Sequence, residues 1–353
     1  MCMAKYPNVP QPIRPGEELP LHRLEPYLRQ QLPELTGPLT VTQFHGGHAN
    51  LTYQLTFGER ELVLRRPPFG KIAPGAHDMR REYRILSRLP EFFAPAPPAL
   101  LLCTDESIIG ADFVVMERRH GVVIRYKLPD TFRDIDRVER RLTDALIRVS
   151  ADLHLVDVAA ADLQDLGKPE GFAERQLRGW TKRWELAKTQ ENADMQHLAQ
   201  HLAEDIPTPQ AVSIVHGDLK FDNCQFQPGE PDRVTSVFDW DMATLGDPLI
   251  DLAGTLSFWP DPALDASDMP LPLLVGDWPT KAYLKERYAE YTGFDLSRMP
   301  WYEAFACFKT AVIAQQLYRR YVDGGTRDER MEKFGRAAVA FAALGVGKLG
   351  GRG

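Results

Sequence analysis

Cysteine is scarce in this chain: four in 353 residues, at Cys2, Cys103, Cys224 and Cys307. They have neither the paired spacing of a metal site nor the density of a disulfide framework, so they predict reduced thiols in a cytoplasmic setting. No stretch approaches the roughly eighteen apolar residues that a membrane helix needs, and no basic-then-apolar leader follows Met1. Neither a membrane span nor export is expected. Charge of one sign is also in short supply. With 42 Lys and Arg against 49 Asp and Glu, the formal charge of −7 excludes the basic footprint of a nucleic-acid partner. Repeats at solenoid periods are absent, and compositional bias is confined to a Pro-rich arm, Pro7 to Pro20, and a Gly-rich tail after Gly345. What remains is 44% hydrophobic and 26% charged, and long enough to bury two substantial cores.

Against that plain background, residues 216 to 223 read His-Gly-Asp-Leu-Lys-Phe-Asp-Asn. Asp239 follows Asn223 by sixteen positions, in Val237-Phe238-Asp239-Trp240-Asp241. Each motif ends an apolar, strand-like run, Ala211 to Val215 and Val234 to Phe238. Phosphoryl transfer needs a carboxylate to take the proton of the acceptor, and further oxygens to hold magnesium against the nucleotide phosphates. Asp218 suits the first role, and Asn223 with Asp239 the second. Lys220 would direct positive charge at the transferred phosphate. Asp and Asn also gather at caps and turns without any chemistry, but two such motifs in this order favour catalysis. The first stretch matches the kinase catalytic loop H-x-D-L-x-x-x-N, and Asp239 stands where the Asp of a D-F-G would be. The chain thus resembles the aminoglycoside-phosphotransferase-like small-molecule kinases, whose second motif commonly ends in an I-D-W-D type run.

A catalytic loop of this kind requires an upstream nucleotide lobe. Gly46 and Gly47, followed by Asn50, form a glycine-bearing turn between strand-like runs Leu39 to Phe44 and Leu51 to Phe57, where backbone N–H groups could cradle phosphate oxygens. A third strand, Glu61 to Arg66, alternates so that Val63 and Arg65 share one face and Leu62, Leu64 and Arg66 the other. By the V-A-I-K pattern, Val63 lines the adenine site and Arg65 holds the phosphates, with Arg66 as the alternative. Arg in place of Lys is a departure, since the planar guanidinium has a different shape and reach. It leaves open a catalytically silent nucleotide-binding scaffold. His77 to Leu89 has helical periodicity, and its Glu82 is the candidate partner of Arg65, although local pairing with Arg80, Arg81 or Arg84 is the competing reading. Strands Ala99 to Cys103 and Asp112 to Met116 follow. Met116, Glu117 and Arg119 then fall at an expected hinge offering main-chain groups to adenine.

The resemblance implies an α+β, bilobal protein-kinase-like fold: a nucleotide lobe of five antiparallel strands and a helix over 1–116, a hinge at 117–121, and a mainly helical lobe over 122–353. It implies an ATP- and magnesium-dependent phosphotransferase acting on a hydroxyl of a small molecule. The basic and aromatic segment Glu174 to Trp184 is similar to phosphotransferase domains found beside some acyl-CoA dehydrogenases. That similarity implies a hydroxyacyl-CoA acceptor, with Arg175, Arg178, Lys182 and Arg183 available for the phosphates of the CoA. The same segment also reads as a solvated charged face. Asp241 is an acceptor-side candidate and the alternative metal ligand. His154, on a helical stretch from Asp134 to Leu155, reads as structural, and Asp251 as a brace of the catalytic loop. An aminoglycoside, amino-alcohol or sugar acceptor is the alternative. Polycationic aminoglycosides call for an acidic site, and residues 260–353 carry twelve acidic against thirteen basic side chains.

Overall fold

Period-two alternation along the first third of the chain separates two faces of one sheet, and each face collects its own partner. The computed structural model describes residues 9–45, 50–70, 78–125, 127–264, 277–326, 328 and 331–350. It opens with α1 (Leu21–Gln31), followed by β1 (Leu39–Phe44), β2 (Leu51–Phe57), β3 (Arg60–Arg66), α2 (Met79–Leu86), β4 (Ala99–Cys103), α3 (Glu106–Ile109) and β5 (Phe113–Glu117). The five strands are antiparallel, in the order β1-β2-β3-β5-β4. Leu62, Leu64, Phe113 and Val115 join Tyr53, Leu55 and Phe57 in a core closed by Leu24 and Leu28 of α1. Val63, Arg65, Val114 and Met116 lie on the opposite face, in register as Val63 with Met116 and Arg65 with Val114.

After β5 come α4 (Val138–His154), α5 (Phe172–Ala187), α6 (Ala193–Glu204), β6 (Ser213–Val215), β7 (Cys224–Gln227), β8 (Glu230–Val237), β9 (Thr244–Gly246), α7 (Pro248–Ser257), α8 (Lys281–Thr292), α9 (Met299–Val322) and α10 (Phe334–Leu349). The fold is therefore α+β, an antiparallel sheet followed by a mainly helical region. Among the described residues, Cys103, Cys224 and Cys307 are buried free thiols, and no helix is long and apolar enough to cross a membrane.

The chain divides into two compact units. The first comprises Met1–Val123, Asp157–Leu166 and Asp222–Ala243; the second comprises Ile124–Val156, Gly167–Phe221 and Thr244–Gly353. This differs from the expected division at 117–121, because the segment bearing Asn223 and Asp239 belongs to the first unit. Its β7–β8 hairpin is stitched there by backbone hydrogen bonds. Val122 and Phe226 exchange a pair at 2.8 and 2.9 Å, and Val237 donates to the Pro95 carbonyl at 2.8 Å. Gly121 permits that approach: a Cβ there would stand 2.5 Å from Thr235 Oγ1, 2.7 Å from Gln225 Cβ and 2.9 Å from the Phe226 carbonyl oxygen.

In the second unit α9 is the central element, packed by α5, α6, α7 and α10. Phe334, Ala337 and Ala338 of α10 close on Ala314. The glycine-rich end is helical as far as Leu349, since Ala, Leu and Val separate the glycines, and Gly345 lies against Leu198 and Cys307.

Gly121→Ala is expected to destabilise the protein by about 1–3 kcal/mol through overpacking, read as a lower denaturation midpoint. Gly179→Ala on α5 is the contrast. Its Cβ meets nothing within 4 Å, and removing an interior helix glycine should add up to about 1 kcal/mol. Equal midpoints for the two variants would contradict the close approach at Gly121.

Candidate active site

A buried cation organises the first unit. β3 places Arg65 on the face opposite the α1 core, and its guanidinium donates to Glu82 Oε1 at 2.6 Å and to Asp239 Oδ1 at 2.9 Å. Glu82 reaches it because Asp78 caps α2, accepting from the backbone N–H groups of Arg80 and Arg81 at 3.0 and 3.1 Å. Burial would lower the basicity of Arg65, but Glu82, Asp239 and Asp241 more than offset it, and its pKa is raised. Burial pushes the Glu82 carboxyl upward, with Arg65 opposing; Glu82 Oε2 is buried and has no hydrogen-bond partner among the described residues. Glu82 is thus directed at Arg65, and its solvated alternative does not occur: its relative exposure is 0%. Arg66 points the other way, donating to the carbonyls of Pro67 and Ile109 at 3.0 and 2.9 Å.

The β7–β8 hairpin sets the metal-ligand candidates side by side. Cys224 pairs with Val237, and Phe238 donates to the Asn223 carbonyl at 3.0 Å, so Asn223 and Asp239 extend from adjacent strand ends. An amide oxygen and a carboxylate are hard donors of the kind magnesium takes, so the residues fit that ion. Asp239 has φ +74° and ψ +59°, a left-handed conformation costly for a residue with a Cβ. Trp240 anchors this turn, fully buried, donating its indole N–H to the Val237 carbonyl at 2.8 Å. Asp241 is half-buried on the same turn, within electrostatic reach of Arg65 and Glu82.

Val63 and Met116 are neighbouring buried residues on the Arg65 face, and Asn50 is buried at the start of β2. At the expected hinge, the Glu117 N–H donates to the Pro98 carbonyl at 2.9 Å, and Arg119 pairs with Glu117 at 3.5 Å. Gly46 and Gly47 lie outside the described residues.

The second unit holds the catalytic loop through α7. Asp251 accepts from the N–H groups of His216 and Gly217, each at 2.7 Å, and from His154 Nε2 at 3.1 Å. One turn further on the same face, Thr255 donates to the Leu219 carbonyl at 2.9 Å. Burial would raise the Asp251 carboxyl, but His154 and His216 hold it below the ordinary carboxylate value. His154 is itself buried, its Nδ1 against the Tyr288 hydroxyl at 2.7 Å. Asp247 caps α7 ahead of Pro248, accepting from Leu249 N at 3.0 Å and from the Tyr302 hydroxyl at 2.7 Å. Gly217 has φ +83°, where any side chain is strained. Asp218 then receives Lys220 Nζ at 2.7 Å, and Lys220 lies 4.9 Å over the Phe258 ring.

The α5 cations part company. Arg175 donates to the carbonyls of Lys168 and Glu170 just before the helix. Arg178 and Lys182 are exposed on the side away from buried Leu177, Trp180 and Trp184, whereas Arg183 folds over the Trp180 ring at 4.3 Å. The same indole also meets a residue that sequence reasoning passed over. Lys309 of α9 approaches Trp180 at 5.6 Å and donates to the Gly217 carbonyl at 3.4 Å. Only its cationic type inside an otherwise apolar stretch of α9 distinguishes it in the sequence.

A model described as "Phosphotransferase enzyme family" matches residues 40–299. The mouse protein acyl-CoA dehydrogenase family member 10 (Mus musculus) is 33% identical over 96% of the chain, which spans only 32% of that protein's length. A crystal structure from Ralstonia eutropha, provisionally named an aminoglycoside phosphotransferase, superposes with a TM-score of 0.78 at 32% identity, covering 94% of this chain and 98% of the other. A thermostable mutant aminoglycoside phosphotransferase in complex with ADP and hygromycin B shares the fold, with a TM-score of 0.58 at 19% identity over 92% and 98% of the two chains.

Asp251→Asn removes one charged acceptor from beneath the catalytic loop and should cost about 1–3 kcal/mol at neutral pH. The folded carboxyl lies below its unfolded value of 3.8, so its contribution is complete above that pH and fades as pH falls through the folded value. Urea midpoints of the two proteins should therefore differ by a constant amount from pH 5 upward and converge in acid. A gap that widens in acid would refute the assignment.

Proposed function

We infer, since the chain belongs to the phosphotransferase enzyme family, that it transfers the γ-phosphoryl group of ATP to a hydroxyl of a small metabolite, and that this metabolite is a hydroxyacyl-CoA. The observation that carries the reading is the buried Arg65, paired with Glu82 and Asp239, which favours it as the phosphate-binding cation of the site. Asp218 accepts the proton of the acceptor hydroxyl while that oxygen bonds to the γ-phosphorus. The bond from phosphorus to the β–γ bridging oxygen breaks, and ADP leaves. Lys220, beside Asp218, stabilises charge on the transferred group. Asn223 and Asp239 would hold magnesium, which when bound neutralises phosphate charge. Val63 and Met116 support a wall for adenine, with Glu117 and Arg119 at its edge. Gly46, Gly47 and Asn50 would cover the phosphates, and Asp241 would act on the acceptor side.

The acceptor assignment is supported by kinship to a protein named for acyl-CoA dehydrogenation and by the cations of α5. Arg178, Lys182 and Arg183 would meet the phosphates of the CoA; Arg175, tied to two carbonyls, would steady the start of the helix.

ADP release should be measured across hydroxyacyl-CoAs, amino alcohols, sugars and aminoglycosides, with turnover expected for the first class. Asp218→Asn should lower kcat by about 10²–10⁴-fold, while Mg-ATP affinity stays within about threefold. Near-normal turnover in that variant would remove Asp218 from its role. Reversing charge with Arg178→Glu and Lys182→Glu should raise the KM for a hydroxyacyl-CoA and leave that for ATP in place. Wild-type kinetics of the double variant with the CoA substrate would sink the CoA assignment alone.

A further inference from the structure

Among the described residues, Lys309 is a cation beside the catalytic loop to which the reaction above gives no work. It comes from the middle of α9, is half-buried, and among the described residues makes two close polar or aromatic contacts. One is the Gly217 carbonyl at 3.4 Å, the outer limit of a hydrogen bond; the other is the Trp180 face at 5.6 Å. An ammonium has three N–H donors. Among the described residues no carboxylate lies within 4 Å of this one, nor of Arg183, which lies over the same indole. The two acids near enough to act on Lys309 are engaged elsewhere: Asp218 by Lys220 at 2.7 Å, and Asp251 by His154 and two backbone N–H groups. A cation taken partly out of water, with its donors largely unused, is costly to keep unless something else completes it. Desolvation pushes the ammonium pKa down; Asp218 and Asp251 oppose the fall, whereas Lys220 and Arg183 deepen it.

We propose that Lys309 is the specificity-determining residue for the acceptor, donating to an acyl carbonyl or carboxylate oxygen that the substrate carries close to the hydroxyl held by Asp218. This rests on the phosphotransferase reading and narrows it. The acceptor is a hydroxy acid derivative, and a plain alcohol or an amine-rich sugar lacks the oxygen that Lys309 seeks. Amines would also meet Lys220, Lys309 and Arg183 as like charges.

The competing role is mechanical, with Lys309 fastening the loop through Gly217. Two substrate pairs separate the roles: β-hydroxybutyryl-CoA against its thioether analogue without the carbonyl, and β-hydroxybutyrate against the matching diol. Wild-type protein should prefer the carbonyl-bearing member of at least one pair by about tenfold or more in kcat/KM, since a polar site left unpaired penalises the analogue. Lys309→Met should bring that ratio to within about twofold, and Lys309→Arg should keep most of it. Calorimetric Mg-ATP affinity and the melting midpoint report whether each variant is folded. If Lys309→Met is folded and slows both members of a pair alike, with the ratio unchanged, Lys309 is a loop fastener and the proposal fails while the phosphotransferase reading stands. A wild-type protein that turns over both members equally overturns the proposal in the same way. No acceptor-dependent ADP release from any probe overturns both.

Discussion

A guanidinium carried out of water has to bring its counter-charges with it, and the first unit is arranged around that requirement at Arg65. β3 aims the side chain away from the α1 core, the Asp78 cap sets the start of α2 so that Glu82 arrives, and the β7–β8 hairpin delivers Asp239. Removing one partner from such a buried group leaves an uncompensated charge, typically worth about 3–5 kcal/mol. The three residues therefore stand or fall together, and the hairpin is bound to the sheet side of the chain despite lying more than a hundred residues downstream.

The second unit meets the same requirement with the opposite sign. Asp251 is a buried carboxylate whose compensation comes from one imidazole and two consecutive backbone N–H groups. Because those N–H groups belong to His216 and Gly217, satisfying the charge and shaping the catalytic loop are one event. α7 supplies both Asp251 and Thr255 from a single face, which makes the loop's geometry a property of a helix and not of the loop itself.

Much of this was legible in the sequence because it is periodic or local. The bounds of β1, β2 and β4 and the two faces of β3 follow from alternation, and the brace by Asp251 from the family resemblance. α1 was hidden because Pro26 sits inside it and Pro-rich chain precedes it, while only Leu24 and Leu28 are buried from its length. The placement of the hairpin depends on the close approach at Gly121 and on backbone bonds of long sequence separation, which no window reveals. Arg183 could not be told from Arg178 or Lys182 by composition; it differs by where the helix turns each one relative to buried Trp180. Lys309 was missed because a single Lys in the apolar middle of α9 carries no spacing signature.

The backbone at Gly217 bears on how this chain could diverge. Protein kinases place Arg at the corresponding position, yet here φ is +83° and both the N–H and the carbonyl are engaged. A change to Arg would add a Cβ at a left-handed φ, a strain of about 1–3 kcal/mol, so an arginine at this position would weigh on the loop's stability. Drift toward that kinase pattern therefore carries a stability cost at Gly217, whose N–H and carbonyl are both already engaged.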